Sequence, residues 1–379
     1  MKQSMRLQSV RVRNFKAIAD SKVVKFGALT ALIGNNGTGK SCLIQALETY
    51  QSIVRDGLEI AMQLWLGIEH ARHKGQEAKE LQGEFVNPIT FELAIGTSPR
   101  KVRRIELEVN NDQAANRMFI AQERISSPDG TWQERDKIGA MQTYGPGRSL
   151  LFAQIPGFVE ESRHILDWQF LTLSPERMGL PVSQQRTSGS VRLARDGSNI
   201  ADFLLDLRHQ DQNAFDGIVE TMAYVLPYAK DIQPSLTSSE IKRKAWLQLT
   251  EGDFKVPGWM LSTGTLRLIA LLALLRHPHP PSLIVVEEIE NGLDPRSIHL
   301  IVEEIRNAVL YGTTQIILTT HSPYLLDLLT IRQLVLVERN PKGQPRFMRP
   351  ADSDKLQRWA TKFAPGKLYT MGNLTGGGK

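Results

Sequence analysis

Residues 9–13 alternate polar and apolar, with Val10 and Val12 on one face, which predicts a half-buried strand. Residues 28–33 are mostly apolar and predict a buried strand that runs straight into a glycine-rich stretch. From Ser41 onward Leu43, Ile44, Ala46 and Leu47 fall on a helical period. That period continues with interruptions to about His73, where Lys74 and Gly75 stop it. Three β-like runs follow, FELAIG, KVRRIELEV and RMFIAQERI, split by SPRK and NNDQ and closed by SPDG, so an antiparallel sheet is expected over 85–135. Residues 140–200 are rich in Gly, Pro and Ser and carry no clear period, whereas 200–226 reads as helix through Phe203, Leu204, Leu207, Phe215 and Ile218. After 260 the order is regular: an almost wholly apolar helix over 265–277 ended by Pro278, a strand over 282–286, a helix over 297–310, a strand over 314–318, a helix over 324–329 and a strand over 334–337. Buried strands alternating with helices imply a parallel α/β sheet. The longest apolar run, residues 268–275, is far too short to span a bilayer, and the first residues lack a signal peptide's apolar core. A cytoplasmic location without a membrane partner is expected. No heptad run is long enough for a coiled-coil arm.

The glycine-rich stretch is Gly34, Asn35, Asn36, Gly37, Thr38, Gly39, Lys40 and Ser41, a full match to G-x-x-x-x-G-K-[ST]. The glycines free the backbone N–H groups to turn inward around phosphate oxygens. Lys40 would reach the β and γ phosphates, Ser41 would offer its hydroxyl to Mg²⁺, and the helix would point its positive end at the same anion. Cys42 falls in the first turn of that helix, where a small buried side chain is the simpler reading than a reactive thiol. It is the chain's single cysteine, which leaves no internal disulfide pair and no cysteine-based zinc site.

Later signals are each modest. Leu261-Ser262-Thr263-Gly264-Thr265 opens the apolar helix with a good N-cap residue at Ser262 and an open backbone at Gly264. The strand LIVV ends in Glu287 and Glu288, which point opposite ways along a strand and so can take different tasks, one at a Mg²⁺ shell and one on a water. An acidic strand end is also a common surface feature. Asn291-Gly292-Leu293-Asp294-Pro295 and, after QIILTT, His321-Ser322-Pro323 follow.

Charge adds one element. The net charge of +6 over 379 residues is uneven: residues 330–379 hold ten Lys or Arg and three Asp or Glu, a local +7, and the rest of the chain is close to neutral. A basic tail suits DNA, RNA or an acidic partner, and a solvated surface carries the same pattern.

The order and spacing of these motifs, with the opening RVRNFKAI and the ENGLDP…TTHSPYLLD pair, resemble the ABC-type ATPase head of the SMC and RecF branch. The small bacterial AAA-family ATPases related to the OLD proteins, several of which serve in anti-phage systems such as Septu and PARIS, resemble it most. The likeness covers residues 6–50 and 255–340 well, and the middle only in ARDGSNIADFLLDL. It implies an α/β P-loop NTPase fold, with an antiparallel β lobe and a helical insertion. The expected division is 1–140 for the first part of the head, 141–255 for a helical or irregular insertion, 256–340 for the second part and 341–379 for a basic tail. It further implies ATP and Mg²⁺ as cofactors, with Lys40 and Ser41 at the phosphates and metal, Glu287 on the metal side and Glu288 as the catalytic carboxylate. Ser262 and Gly264 would be signature residues that meet the γ-phosphate of a second protomer, Asp294 would lie in the loop at that interface, and His321 would sense the γ-phosphate. The family also uses a glutamine at the metal, for which Gln154 and Gln169 are the candidates. Such heads close head to tail as homodimers around two nucleotides. Three roles are open: a defence ATPase that positions a separate nuclease or toxin, a RecF- or SMC-like DNA-repair ATPase stimulated by DNA, and a transporter ATPase, against which the NFKAI and ENGLDP forms speak. Beyond Thr330 the acids are Glu338, Asp352 and Asp354, too few for a metal nuclease, so any nuclease is expected on another chain.

Overall fold

The computed structural model describes residues 4–75, 80, 81, 84, 85, 87–98, 101–112, 116–126, 130, 132–136, 145–152, 157–184, 190–237, 243–312 and 314–374. The chain forms two compact units. The first comprises Met1–Trp168, Ile331–Phe363 and Met371–Lys379, the second Gln169–Thr330 and Ala364–Thr370.

In the first unit, β1 (Arg6–Phe15), β2 (Ile18–Asp20) and β3 (Val24–Lys25) precede β4 (Leu29–Ile33), every residue of which is buried. Helix α1 (Lys40–Asp56) follows the glycine-rich loop. The helical period expected to about residue 73 is broken into α1, α2 (Leu58–Gln63) and α3 (Ile68–Ala71). The first break falls at Gly57, whose φ of 95° no helix accommodates. After two short strands, β5 (Glu80–Leu81) and β6 (Glu84–Phe85), the expected antiparallel lobe is present as β7 (Ile89–Ser98), β8 (Lys101–Asp112), β9 (Arg117–Ser126) and β10 (Trp132–Asp136), in the order β10-β9-β8-β7-β1-β2. Phe15 of β1, Phe91 of β7 and Tyr50 of α1 meet with ring centroids 5.8 to 6.0 Å apart, which seats α1 on the inner face of that sheet. Helix α4 (Val159–Leu166) is tied to the sheet by the Arg103–Glu161 ion pair at 2.6 Å.

The second unit opens with β11 (Gln169–Leu171), α5 (Pro175–Met178) and β12 (Val182–Ser183). The helix expected over 200–226 is two helices, α6 (Ile200–Gln210) and α7 (Gln212–Val225), because the Asp211 side chain caps a new start by accepting from the Ala214 N–H. The segment expected to be helical or irregular also contains an antiparallel meander, β13 (Ala229–Leu236), β14 (Lys244–Glu251) and β15 (Phe254–Pro257). Helix α8 (Thr263–Leu275) is buried on nearly every side, which accounts for its apolar composition. Strand β16 (Leu283–Val286), helix α9 (Pro295–Leu310), strand β17 (Gln315–Thr320) and helix α10 (Pro323–Asp327) complete the α/β part. Strand β16 lies between β11 and β17, all parallel, with Leu171 opposite Val286 and Val286 opposite Leu318. Arg276 at the end of α8 forks onto Glu304 of α9 with two bonds of 2.8 Å.

The chain returns to the first unit as β18 (Leu334–Arg339), parallel to β4, and β19 (Pro345–Met348), antiparallel to β18. The basic tail is therefore not a simple surface element. Pro345 and Pro350 are buried, Leu356 of α11 (Asp354–Ala360) is 4% exposed, and Leu368 of α12 (Pro365–Thr370) is buried in the second unit. Its cations nevertheless face solvent at Arg346, Lys355, Arg358, Lys362 and Lys367. Among the described residues no helix is long and apolar enough to cross a membrane.

Candidate functional site

In the first unit the loop after β4 has the conformation its glycines require. Gly34 has a φ of 146°, and a Cβ there would stand 2.1 Å from the Val337 carbonyl oxygen. Gly39 has a φ of 111°, and a Cβ would meet the Pro345 ring at 2.4 Å. Only glycine lets β18 and β19 approach this closely. Helix α1 has Gly39 as its N-cap and no side-chain cap, so its first N–H groups meet no competing oxygen from the capping residue. The Thr38 hydroxyl donates to the Asn35 carbonyl at 2.9 Å and closes the turn. Lys40 is 7% exposed, and its ammonium is folded back onto the loop, donating to Gly34 O at 2.6 Å and Asn35 O at 3.0 Å. Arg339, at the end of β18, donates its Nε to the Gly37 carbonyl at 2.8 Å, which puts a second cation on the loop. Ser41 and Cys42 occupy the first turn of α1, with Cys42 half-buried and not in a disulfide. A cradle of glycine N–H groups with two cations is chemistry for a polyphosphate.

In the second unit three carboxylates follow β16, and each is held differently. Glu287 has its N–H on the Leu171 carbonyl at 3.0 Å, and its side chain, 14% exposed, accepts from the Thr172 hydroxyl at 3.3 Å with Arg195 at 3.8 Å. Glu288 is exposed and has a φ of 48°, a left-handed conformation rare for a residue with a Cβ. Its N–H is fixed by the Thr319 hydroxyl at 2.8 Å, and its carboxylate accepts from the Asn291 side-chain amide. Glu290 turns back and accepts the N–H groups of His321, at 2.5 Å, and Ser322, at 3.1 Å, so it anchors the backbone of the histidine that ends β17.

Ser262 caps α8, its hydroxyl accepting from the Thr265 N–H at 3.1 Å. Gly264 lies against the loop after Glu288: a Cβ on it would stand 2.3 Å from the Gly292 carbonyl oxygen. The Ser262 helix start and the 291–294 loop are thus packed together, and Ser262, Thr263, Asn291, Gly292 and Asp294 are all exposed on them. Asp294 is the N-cap of α9, accepting from Arg296 N at 2.8 Å and Ser297 N at 3.2 Å, and from the Ser297 hydroxyl at 2.6 Å. Burial raises its pKa, but the Ser297 and Arg296 donors outweigh that and hold the carboxyl below its ordinary range.

Of the two glutamine candidates, Gln169 is spent inside its unit. It starts β11, is 8% exposed, donates to Leu193 O at 2.7 Å and faces the Arg192 guanidinium at 3.4 Å. Gln154 lies outside the described residues. At the end of β11 that carries Glu287's neighbour the residue is Thr172. Sequence reasoning missed Thr172, Arg195, Glu290, Thr319 and Arg339; the third acid of EEIE was a visible signal for Glu290.

Residues 29–327 match the family described as "AAA domain, putative AbiEii toxin, Type IV TA system", and the chain belongs to that family. Among solved structures it is similar to an Smc head bound to the C-terminal winged-helix domain of ScpA, at 13% identity and a TM-score of 0.53, covering 90% of this chain and 97% of that one. It is also similar to an Smc head with an extended coiled coil bound to the C-terminal domain of ScpA derived from Pyrococcus furiosus, at 10% identity and a TM-score of 0.52, covering 94% and 100%. The fold is thus that of a P-loop ATPase head of the SMC type, as the motif order implied. No curated protein matches.

Proposed function

We propose that this chain binds and hydrolyses ATP with Mg²⁺ and closes as a head-to-tail homodimer around the nucleotide. The phosphate loop and Lys40 hold the phosphates, Glu288 handles the attacking water, and His321 reads the γ-phosphate. Ser41 and Glu287 offer hard oxygen donors of the kind Mg²⁺ takes, and the bound cation would neutralise charge on the phosphates. The observation that carries the reading is the exposed junction of the Ser262 helix start with the 291–294 loop. It presents helix N–H groups, a hydroxyl and an aspartate-capped loop to solvent, as a face for another copy's nucleotide would. The family description, with its toxin and type IV toxin–antitoxin system, favours a defence role in which closure positions or regulates a separate nuclease or toxin. The Smc heads that share the fold are bound to ScpA domains, so a head of this kind can dock a second protein. The exposed cations from Arg346 to Lys367 favour a second reading, a RecF- or SMC-like ATPase stimulated by DNA.

Glu288→Gln tests the chemistry and the assembly together. It keeps the shape and the Asn291 contact but removes the charge, so hydrolysis should fall by about a hundredfold or more while ATP binding persists. Light scattering should then show an ATP-dependent dimer that outlasts the wild type's. Wild-type turnover would remove Glu288 from the catalytic role, and a monomer at saturating ATP would remove the sandwich.

A further inference from the structure

The hairpin that returns the chain to the first unit does more than extend its sheet. Strand β18 ends at Arg339, which faces Pro345 across the β18–β19 ladder. That one rung touches the phosphate loop twice. The Pro345 ring lies against Gly39, and the Arg339 guanidinium donates its Nε to the Gly37 carbonyl at 2.8 Å. Two residues earlier, the Val337 carbonyl leaves no room for a Cβ on Gly34. The other end of the guanidinium is anchored as well, with Nη1 donating to the Gly343 carbonyl in the hairpin turn. Asn340 closes that turn. Its N–H donates to Gln344 O at 2.9 Å, its carbonyl accepts from Gly343 N at 2.8 Å, and its side-chain oxygen accepts from Lys342 N at 3.0 Å and Gln344 N at 2.9 Å. Arg339 is thus a strut between a well-bonded turn and the exposed apex of the loop.

Gly37 is where the loop needs one. It is exposed, has a φ of 74°, and beyond its chain neighbours no heavy atom lies within 4 Å of where its Cβ would stand, so packing does not hold it. The Thr38 N–H and hydroxyl close the turn onto Asn35 O at 3.4 and 2.9 Å, but neither bond uses the Gly37 carbonyl. Arg339 directs that carbonyl. In a trans peptide the C=O and the following N–H point opposite ways, so a carbonyl drawn out to Arg339 leaves the Thr38 N–H on the inner side. A carbonyl turned inward would put partial negative charge where a phosphate oxygen has to sit.

We propose that Arg339 is a positioning residue for the nucleotide: it braces the phosphate loop against the 340–344 turn and keeps the Gly37 carbonyl out of the cradle. It thereby sets nucleotide affinity without touching the nucleotide. The inference rests on the reading that this loop binds ATP.

Two measurements on the full chain test it. Hydrogen exchange without nucleotide reads the brace itself: in Arg339→Gln the amides of residues 37–40 should exchange about three- to tenfold faster than in wild type, while those of β4 keep their rates. Calorimetry reads the consequence: Arg339→Gln should bind ATP and ADP more weakly by the same factor, about three- to tenfold, the weight of one exposed hydrogen bond. Arg339→Lys keeps the charge but has no planar fork to span two carbonyls, so it should lie within about twofold of Arg339→Gln. Gly343→Val changes no group on the loop, but a β-branched residue does not readily take the φ of 75° found there, so the turn shifts and the anchor is lost. ATP affinity should fall in that variant too. Unchanged exchange at 37–40 in Arg339→Gln overturns the proposal, and so does wild-type affinity in Gly343→Val. A loss confined to ATP and restored by Arg339→Lys also overturns it and makes the arginine a γ-phosphate ligand. If the wild type binds neither nucleotide, the phosphate-loop reading fails, and exchange at 37–40 still decides the brace.

Discussion

Gly264→Ala isolates the contact on which the dimer reading depends. The added Cβ would sit 2.3 Å from the Gly292 carbonyl oxygen, about 1 Å inside an ordinary contact. Backbone cannot rotate away as a side chain can, so either the first turn of α8 or the 291–294 loop must shift. Overpacking of this kind costs about 1–3 kcal/mol. Urea unfolding followed by circular dichroism should therefore show a lower midpoint for the second unit. The displaced loop carries Asn291, which holds the Glu288 carboxylate, so hydrolysis should fall about tenfold or more. ATP affinity, measured by calorimetry, should stay within about twofold of wild type because the phosphate loop is built within the first unit and Gly264 belongs to the second. The discriminating value is ATP-driven association: it should weaken with hydrolysis. A variant that is destabilised yet dimerises and turns over normally would refute the assignment of this face to the second copy. One with an unaltered urea midpoint would refute the steric argument itself.

Other expectations follow from single contacts. Lys40→Ala removes a charged donor from the phosphate cradle and should weaken ATP binding about tenfold to a hundredfold, with calorimetry as the check. Burial of His164 lowers its pKa to about 4. The unfolded chain then binds more protons than the folded one between about pH 6.5 and 4, so stability should fall by about 2–3 kcal/mol as pH drops through that window. His164→Phe should flatten that part of the pH–stability curve, and an unchanged slope would assign it to other groups. Reversing Arg346, Lys355, Arg358 and Lys362 to Glu should abolish low-salt binding of a DNA duplex and leave ATP affinity alone; if the wild type binds neither duplex nor single strand at low salt, the charge serves a protein partner.

The apolar segments were legible because burial on both faces leaves no alternation to disguise them: β4, β16 and β17 are continuous runs, and they carry the motifs at their ends. What was missed has physical causes. AWLQLTE of β14 does alternate, with Ala245, Leu247 and Leu249 buried, but Trp246 on the other face blurs the contrast and Pro234 in β13 argues against a strand. The α6–α7 break depends on one side chain, Asp211, that a helical period cannot distinguish from a surface acid. Arg195 and Thr172 stand 92 and 115 positions from Glu287, and only the parallel pairing of β11 with β16 brings them to it. No local pattern encodes that approach.

The end of β16 shows why the acids of EEIE cannot be exchanged for one another. Glu287 continues the strand's ladder through Leu171 O, so its side chain stays partly covered and needs a counter-charge. Glu288 is turned out by a left-handed backbone that costs about 1–2 kcal/mol, a strain sustained by the Thr319 hydroxyl on its N–H. That turn is what frees its carboxylate for solvent instead of the sheet. Glu290 completes the turn and spends one oxygen on the backbone of His321 and Ser322, so the histidine's position depends on the same four residues that expose Glu288. A substitution that relaxed Glu288 into extended backbone would carry Glu290 to the wrong side and release His321 with it. The coupling is testable by turnover: Glu290→Gln should keep an acceptor for the histidine N–H and preserve turnover within a few-fold, whereas Glu290→Ala should lower turnover about as much as removing His321 does. Equal activity in the two Glu290 variants would show that the carbonyl-type acceptor is not what holds the histidine in place.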